Sequence, residues 1–285
     1  MKYPDNASFL QSTDGLSIYY RDYGDEHDRA PVICLPGLTR NSRDFDELAE
    51  HLADRRRVLT MDFRGRGFSE HDPNWANYHP GTYVADVWHL LDTLNVHRVV
   101  VIGTSLGGLC AMAMAAQHPE RLAGVVLNDI GPEIHAPGLE RIKQYTGRLP
   151  AIGSWDEAVE QARNTYGDWL PGLGDEDWLR MARKAYREDE HGVPRLDIDK
   201  NIGRAIREAS DTTADAWAVF AALVDIPTLL IWGEMSDILT QEIIDKMVAA
   251  KPDLAVVPVP NRGHVPLLDE PEALAAIDSF LDGME

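Results

Sequence analysis

A serine hydroxyl becomes a nucleophile only where the chain exposes it and a base can reach it. Residues 99 to 117 offer such a place: an apolar strand pattern, Val-Val-Val-Ile-Gly, runs into Ser105, and a small-residue helical pattern, Leu-Gly-Gly-Leu-Cys-Ala-Met-Ala-Met, leaves it. A strand-to-helix turn this sharp strains its central residue and would collide with side chains two positions away on either side. Gly103 and Gly107 occupy those two positions. The hydroxyl still needs a histidine to take its proton and a carboxylate to orient that histidine. Downstream, the apolar run Thr228-Leu-Leu-Ile-Trp-Gly233 is followed by Asp237, and the run from Leu254 to Pro260 is followed by Asn261-Arg-Gly-His264. Ser105, Asp237 and His264 thus each lie just past the end of a strand, and in an open parallel sheet those loops gather on one edge. A competing carboxylate, Asp129, ends the strand pattern Val125-Val-Leu-Asn128.

The elements that must carry these residues follow from periodicity. A β-hairpin is predicted over 7–12 and 16–23 with a turn at Asp14-Gly15, and strands over 32–35, 58–61, 97–103 and 123–128 alternate with helices over 44–53 and 82–94. Alternation of this kind implies a mostly parallel sheet covered on both faces. From Pro132 to Ala222 no apolar strand pattern occurs; amphipathic helical windows near 138–147, 154–165, 175–188 and 199–209 are joined by Gly and Pro, and the alternation resumes at Pro227.

The chain resembles the α/β-hydrolase family almost end to end. Asp62-Phe-Arg-Gly-Arg-Gly-Phe-Ser69 matches the family's D-x-R-G-x-G-x-S segment, His118-Pro-Glu-Arg-Leu122 resembles the exit from the nucleophile helix, and Gly263-His264 with Asp269-Glu-Pro-Glu272 resembles the terminal signature. Leu35-Pro-Gly-Leu38 resembles the oxyanion loop, with Pro36-Gly37 where most members carry His-Gly. The resemblance implies an eight-stranded, mostly parallel α/β sheet built from 1–131 and 223–285, with 132–222 as a helical cap. It implies oxyanion donors from the Leu38 and Leu106 backbone N–H groups. It also favours Asp237 as the acid over Asp129, because Gly-Glu-Met-Ser-Asp resembles the common acid loop and stands at the usual distance before Gly263-His264. The implied chemistry is two-step acyl transfer to water without a cofactor, on a carboxylic ester or lactone. Serine at the elbow, in place of aspartate, speaks against dehalogenase and epoxide hydrolase chemistry. Carbon-carbon hydrolases share the fold, but their dienoate substrates need a cationic subsite that the sequence does not plainly supply. Perhydrolase or haloperoxidase activity and a receptor-like binding role also compete with the ester reading. The insertion holds Trp155, Trp169, Trp178 and Trp217 together with Tyr145, Tyr166 and Tyr186, read either as an apolar roof for the substrate, with Trp155, Trp169 and Trp178 as the candidate pocket residues, or as the packing that lets a small helical lid cohere.

Composition bounds the partners. With 285 residues, 44% of them hydrophobic, the chain can bury one large domain with an insertion. A net charge of −20 argues against nucleic acid and anionic membranes, leaving a small-molecule substrate, expected to be a neutral or apolar acyl compound. The two cysteines, Cys34 and Cys110, fall inside a strand and a helix as small buried fillers, so neither a disulfide nor a metal site is expected. No signal-peptide pattern and no membrane-length apolar run is present, and a cytoplasmic location is expected.

Overall fold

The computed structural model describes residues 3–24, 28–208 and 215–284. Met1 and Glu285, the outer bounds of the predicted core, and Ala209, the end of one helical window, lie outside them. Ten strands are described: β1 (Ala7–Gln11), β2 (Ser17–Tyr23), β3 (Val32–Leu35), β4 (Val58–Met61), β5 (Val99–Thr104), β6 (Leu122–Asn128), β7 (Tyr186–Glu188), β8 (Pro194–Leu196), β9 (Thr228–Gly233) and β10 (Ala255–Val259). The α-helices are α1 (Asp46–Ala53), α2 (Pro80–Thr93), α3 (Leu106–Gln117), α4 (Ala136–Tyr145), α5 (Trp155–Tyr166), α6 (Asp175–Ala185), α7 (Asn201–Glu208), α8 (Ala216–Ala221), α9 (Gln241–Ala250) and α10 (Pro271–Asp282). Eight strands form one sheet in the order β1-β2-β4-β3-β5-β6-β9-β10. The β1–β2 and β2–β4 pairs are antiparallel and every later pair is parallel. The mostly parallel sheet read from the sequence is therefore the one observed.

Every residue of β3, β4, β5 and β6 is buried, as expected of strands with helices on both faces. Side chains alternate between the two layers. Ile33, Leu35, Val99 and Val101 pack with Val84 and Val87 of α2 and Met114 of α3, whereas Val32, Cys34, Val100 and Ile102 pack with Leu48 of α1 and Ile277 of α10. The register sets Leu35 beside Gly103, Thr104 beside Asn128, and Val259 beside Gly233. The chain consequently leaves β3, β5, β6, β9 and β10 along one edge of the sheet, and the candidate residues sit on that edge.

Between β6 and β9 the chain builds α4 to α8 and the short antiparallel hairpin β7–β8. The sequence shows no strand there, because three-residue strands are too short to carry an alternating pattern; the turn is made by Asp189, whose side chain accepts from His191 and Val193, and by Gly192 at φ 75°. Phe220 of α8 joins the same apolar cluster as Ala111 and Met114 of α3. Among the described residues no helix is long and apolar enough to cross a membrane.

Candidate active site

Ser105 stands at φ 51°, ψ −111°, a conformation that L-residues seldom adopt, between β5 and α3. Its N–H donates to the Asn128 carbonyl (3.0 Å), and its own carbonyl caps α3 by accepting from Gly108 (2.9 Å) and Leu109 (3.1 Å). The strain is held by close packing that only glycine permits. A Cβ on Gly103 would stand 2.4 Å from the Gly107 backbone, and one on Gly107 would stand 2.1 Å from the Leu35 carbonyl oxygen.

The exposed hydroxyl meets His264, whose Nε2 lies 2.9 Å from Ser105 Oγ. The other ring nitrogen, Nδ1, lies 2.8 Å from Oδ2 of Asp129. Asp129 is fully buried and His264 nearly so. Two further donors hold the carboxylate: the Gly233 N–H on Oδ1 at 3.0 Å and the Ser236 hydroxyl on Oδ2 at 2.7 Å. With Oδ2 accepting from Nδ1–H, the tautomer left on the ring has a lone pair on Nε2, aimed at the serine proton. The result is a continuous hydrogen-bonded relay from a buried carboxylate to a strained serine.

On the far side of Ser105, the loop after β3 comes close enough that a Cβ on Gly37 would be 3.9 Å from the Ser105 Cβ. Gly37 accepts from the Arg40 N–H at 3.2 Å, which closes a turn over Leu38 and Thr39. Leu106 opens α3, so its N–H belongs to the first turn and has no acceptor within the helix. Leu38, in the turn beside Ser105, and Leu106, the residue that follows it, are thus both neighbours of the serine.

A cavity of about 120 Å³ opens above this floor. From the insertion, Ile142, Tyr145, Tyr166, Leu170 and Met181 line it; from the loop after β3, Arg40 lines it, gripped by the Asp44 carboxylate at 2.6 and 2.7 Å. Burial pushes the Tyr145 phenol well above its ordinary value, so it stays neutral. Burial likewise raises the Cys110 thiol to about 12, which leaves it inert on the buried face of α3.

Comparison with known proteins agrees with this architecture. A sequence model of the alpha/beta hydrolase fold matches residues 30–271. The chain belongs to the α/β-hydrolase family. It is 30% identical to a 3-hydroxybutyrate-oligomer hydrolase of Cupriavidus necator, over 93% of this chain and 92% of that one. It is 27% identical to a 2-(acetamidomethylene)succinate hydrolase of Mesorhizobium japonicum, over 88% and 87%. Among solved structures, an alpha/beta hydrolase from Novosphingobium aromaticivorans superposes with a TM-score of 0.91 at 41% identity, covering 97% of each chain.

In this α/β-hydrolase two sequence expectations are corrected. Asp237, expected to orient His264, instead takes both oxygens to Arg141 of α4, at 2.6 and 2.9 Å. It stands four residues beyond the end of β9, far enough for the loop to turn it outward to the insertion. Asp129 directly follows β6, the strand next to β5, and its positive φ of 55° turns the carboxylate back under His264. The loop after β9 still contributes, through Ser236, which accepts from Ile238 and Leu239 while donating to Asp129. Nothing in the sequence marks that serine.

The second correction concerns the aromatics. Trp155, Trp169 and Trp178 do not line the cavity. Trp155 donates to Glu188 and lies under the Arg183 guanidinium; the Trp169 ring lies under Arg141 while its backbone carbonyl accepts from the Gly263 N–H; Trp178 is buried with Ala162 and Leu170. Indole rings are large enough to bridge short helices, and these three are spent on that packing. The cavity wall falls to Tyr145 and Tyr166, whose rings meet edge to face at 6.0 Å.

Proposed function

We propose that this hydrolase cleaves carboxylic esters through an acyl-enzyme, with Ser105 as nucleophile, His264 as base and Asp129 as the acid that orients it. The observation that carries the reading is the unbroken relay of 2.9 and 2.8 Å contacts from Ser105 through His264 to Asp129. In the first step His264 Nε2 takes the serine proton as Oγ attacks the ester carbonyl. The carbonyl oxygen becomes an oxyanion that accepts from the Leu38 and Leu106 N–H groups. The imidazolium, stabilised by the buried Asp129 carboxylate, then protonates the leaving alkoxide. In the second step His264 activates water against the acyl-serine by the same relay, and the acid is released.

The segment 132–222 serves as a cap: Ile142, Leu170 and Met181 with the two tyrosines supply an apolar stretch of wall that holds the acyl group, and Asp177, Arg180 and Lys184 of the same segment add charged groups to the lining. Because the Arg40–Asp44 pair offers both donors and acceptors at the cavity wall, short esters bearing a hydroxyl or another small polar group fit better than long alkyl chains. The named activity of the 30%-identical Cupriavidus necator relative, on 3-hydroxybutyrate oligomers, supports that class. The test is a panel of p-nitrophenyl acetate, p-nitrophenyl butyrate, a linear 3-hydroxybutyrate dimer and a lactone, together with a fluorophosphonate probe. Hydrolysis of the esters and one adduct on the peptide containing Ser105, both lost in Ser105→Ala, are expected. Labelling or turnover that survives Ser105→Ala overturns the assignment.

A further inference from the structure

The segment that follows β4 holds two buried arginines with opposite surroundings. Arg64 is neutralised by three carboxylates, Asp14, Asp72 and Asp86, each at 2.7 Å. Arg66, two residues on and fully buried, has no carboxylate partner among the described residues. Its guanidinium donates from Nε to the Leu38 carbonyl at 2.7 Å, and from Nη1 to the Arg64 carbonyl at 2.9 Å and the Tyr83 hydroxyl at 3.2 Å. Its carbon sits 4.8 Å from the centre of the Tyr83 ring. Among the described residues Nη2 has no hydrogen-bond partner.

Desolvating a guanidinium without a counter-ion costs several kcal/mol, and an apolar side chain of similar volume would fill the space without that cost. What the arginine adds is its grip on the loop after β3. Arg66 holds the Leu38 carbonyl, while Asp62 of the same segment accepts from the Ser42 N–H at 2.7 Å, so residues 38–42 are clamped at both ends. The clamp bears on the turn that sets Gly37 and Leu38 beside Ser105. A preorganised donor is worth far more to an oxyanion than one that must reorient, and an unneutralised positive charge behind it acts in the same direction.

We propose that Arg66 is a positioning residue for acyl transfer: by holding the Leu38 carbonyl, its planar fork fixes the Leu38–Thr39 peptide and, through the shared Leu38 Cα, the preceding Gly37–Leu38 peptide that carries the N–H, so that the oxyanion donor is in place before charge develops. The proposal rests on the esterase reading above, and in particular on the Leu38 N–H as an oxyanion donor. Arg66 touches no reacting atom, so its loss should be felt in the transition state and not in substrate binding.

The test compares Arg66→Gln and Arg66→Lys with the wild-type chain in kcat and KM for p-nitrophenyl butyrate. It also measures inhibition by a trifluoromethyl ketone, which forms a tetrahedral oxyanion on serine, and by the corresponding carbinol, which does not. Arg66→Gln should lower kcat about 10- to 100-fold and weaken the ketone by the same factor, with KM and carbinol inhibition within about twofold, since misplacing one donor costs on that order. Arg66→Lys keeps the charge but not the fork, and should lose about fivefold in kcat and in ketone inhibition. A folded Arg66→Gln with kcat within twofold of wild type, or one that weakens ketone and carbinol equally, overturns the proposal. Should Arg66→Gln fail to fold, Arg66→Lys decides: wild-type values for it overturn the proposal as well. Failure of the wild-type chain to take a fluorophosphonate on Ser105 would refute the esterase reading instead.

Discussion

Replacing Asp129 by asparagine changes one atom and tests the relay directly. The carboxylate accepts three hydrogen bonds, from His264 Nδ1, Ser236 Oγ and the Gly233 N–H. An amide can keep the Gly233 bond through its oxygen, but its NH₂ must then occupy the place of Oδ2 and donate. Facing a donor, His264 Nδ1 has to present its lone pair, which moves the ring proton to Nε2 and points it at Ser105 Oγ. A protonated Nε2 cannot accept the serine proton, and the imidazolium also loses its buried counter-charge. Comparable changes in serine triads cost about 10³- to 10⁴-fold in kcat, or about 4 to 5.5 kcal/mol of transition-state stabilisation. Asp237→Asn, in contrast, loosens only the Arg141 contact and should leave turnover within about threefold. The assay is burst and steady-state hydrolysis of p-nitrophenyl butyrate, with circular dichroism to show both variants folded. Substantial activity in Asp129→Asn together with near-complete loss in Asp237→Asn would refute the reasoning.

Gly107→Ala should destabilise the fold by about 3–5 kcal/mol, because a Cβ there meets the Leu35 carbonyl oxygen at 2.1 Å; a denaturant midpoint equal to that of wild type would contradict the packing described. Met181→Trp fills the wall of the cavity and should lower kcat/KM for the butyrate ester about tenfold more than for the acetate ester; an equal loss on both would remove Met181 from the acyl-binding wall. The Arg64 guanidinium beside Asp14 holds its carboxyl down at about 2 against an ordinary 3.8. Because the folded value is the lower one, the stabilisation is in place above pH about 4 and is lost as the pH falls toward 2. Asp14→Asn should therefore flatten that stretch of the acid-unfolding curve, and identical curves for variant and wild type would show that the contact contributes nothing.

What the sequence determined by itself were the features that depend on neighbours along the chain. The strands β3 to β6 are apolar runs bounded by turns, and Gly103 and Gly107 flank Ser105 because a strand-to-helix turn with φ 51° tolerates nothing larger. The order of serine, acid and histidine past strand ends was also readable, since a parallel sheet sends those loops to one edge. Which acid reaches the histidine was decided in three dimensions. Asp129 and Asp237 both follow strands, but only the adjacency of β6 to β5, with the Gly233 N–H and Ser236 hydroxyl arriving from β9, makes a site that holds a buried carboxylate under His264. Asp237 is taken by Arg141, 96 residues away, a partner that no local pattern announces. The same holds for the cavity wall. A tryptophan and a tyrosine look equally able to line a pocket, and tertiary packing alone set the indoles into the packing of the insertion and left Tyr145 and Tyr166 on the cavity wall. Arg66 occupies a variable place in a glycine-rich motif, and its hold on Leu38 exists only because β4 lies beside β3 in the sheet, which brings the loops that follow them together.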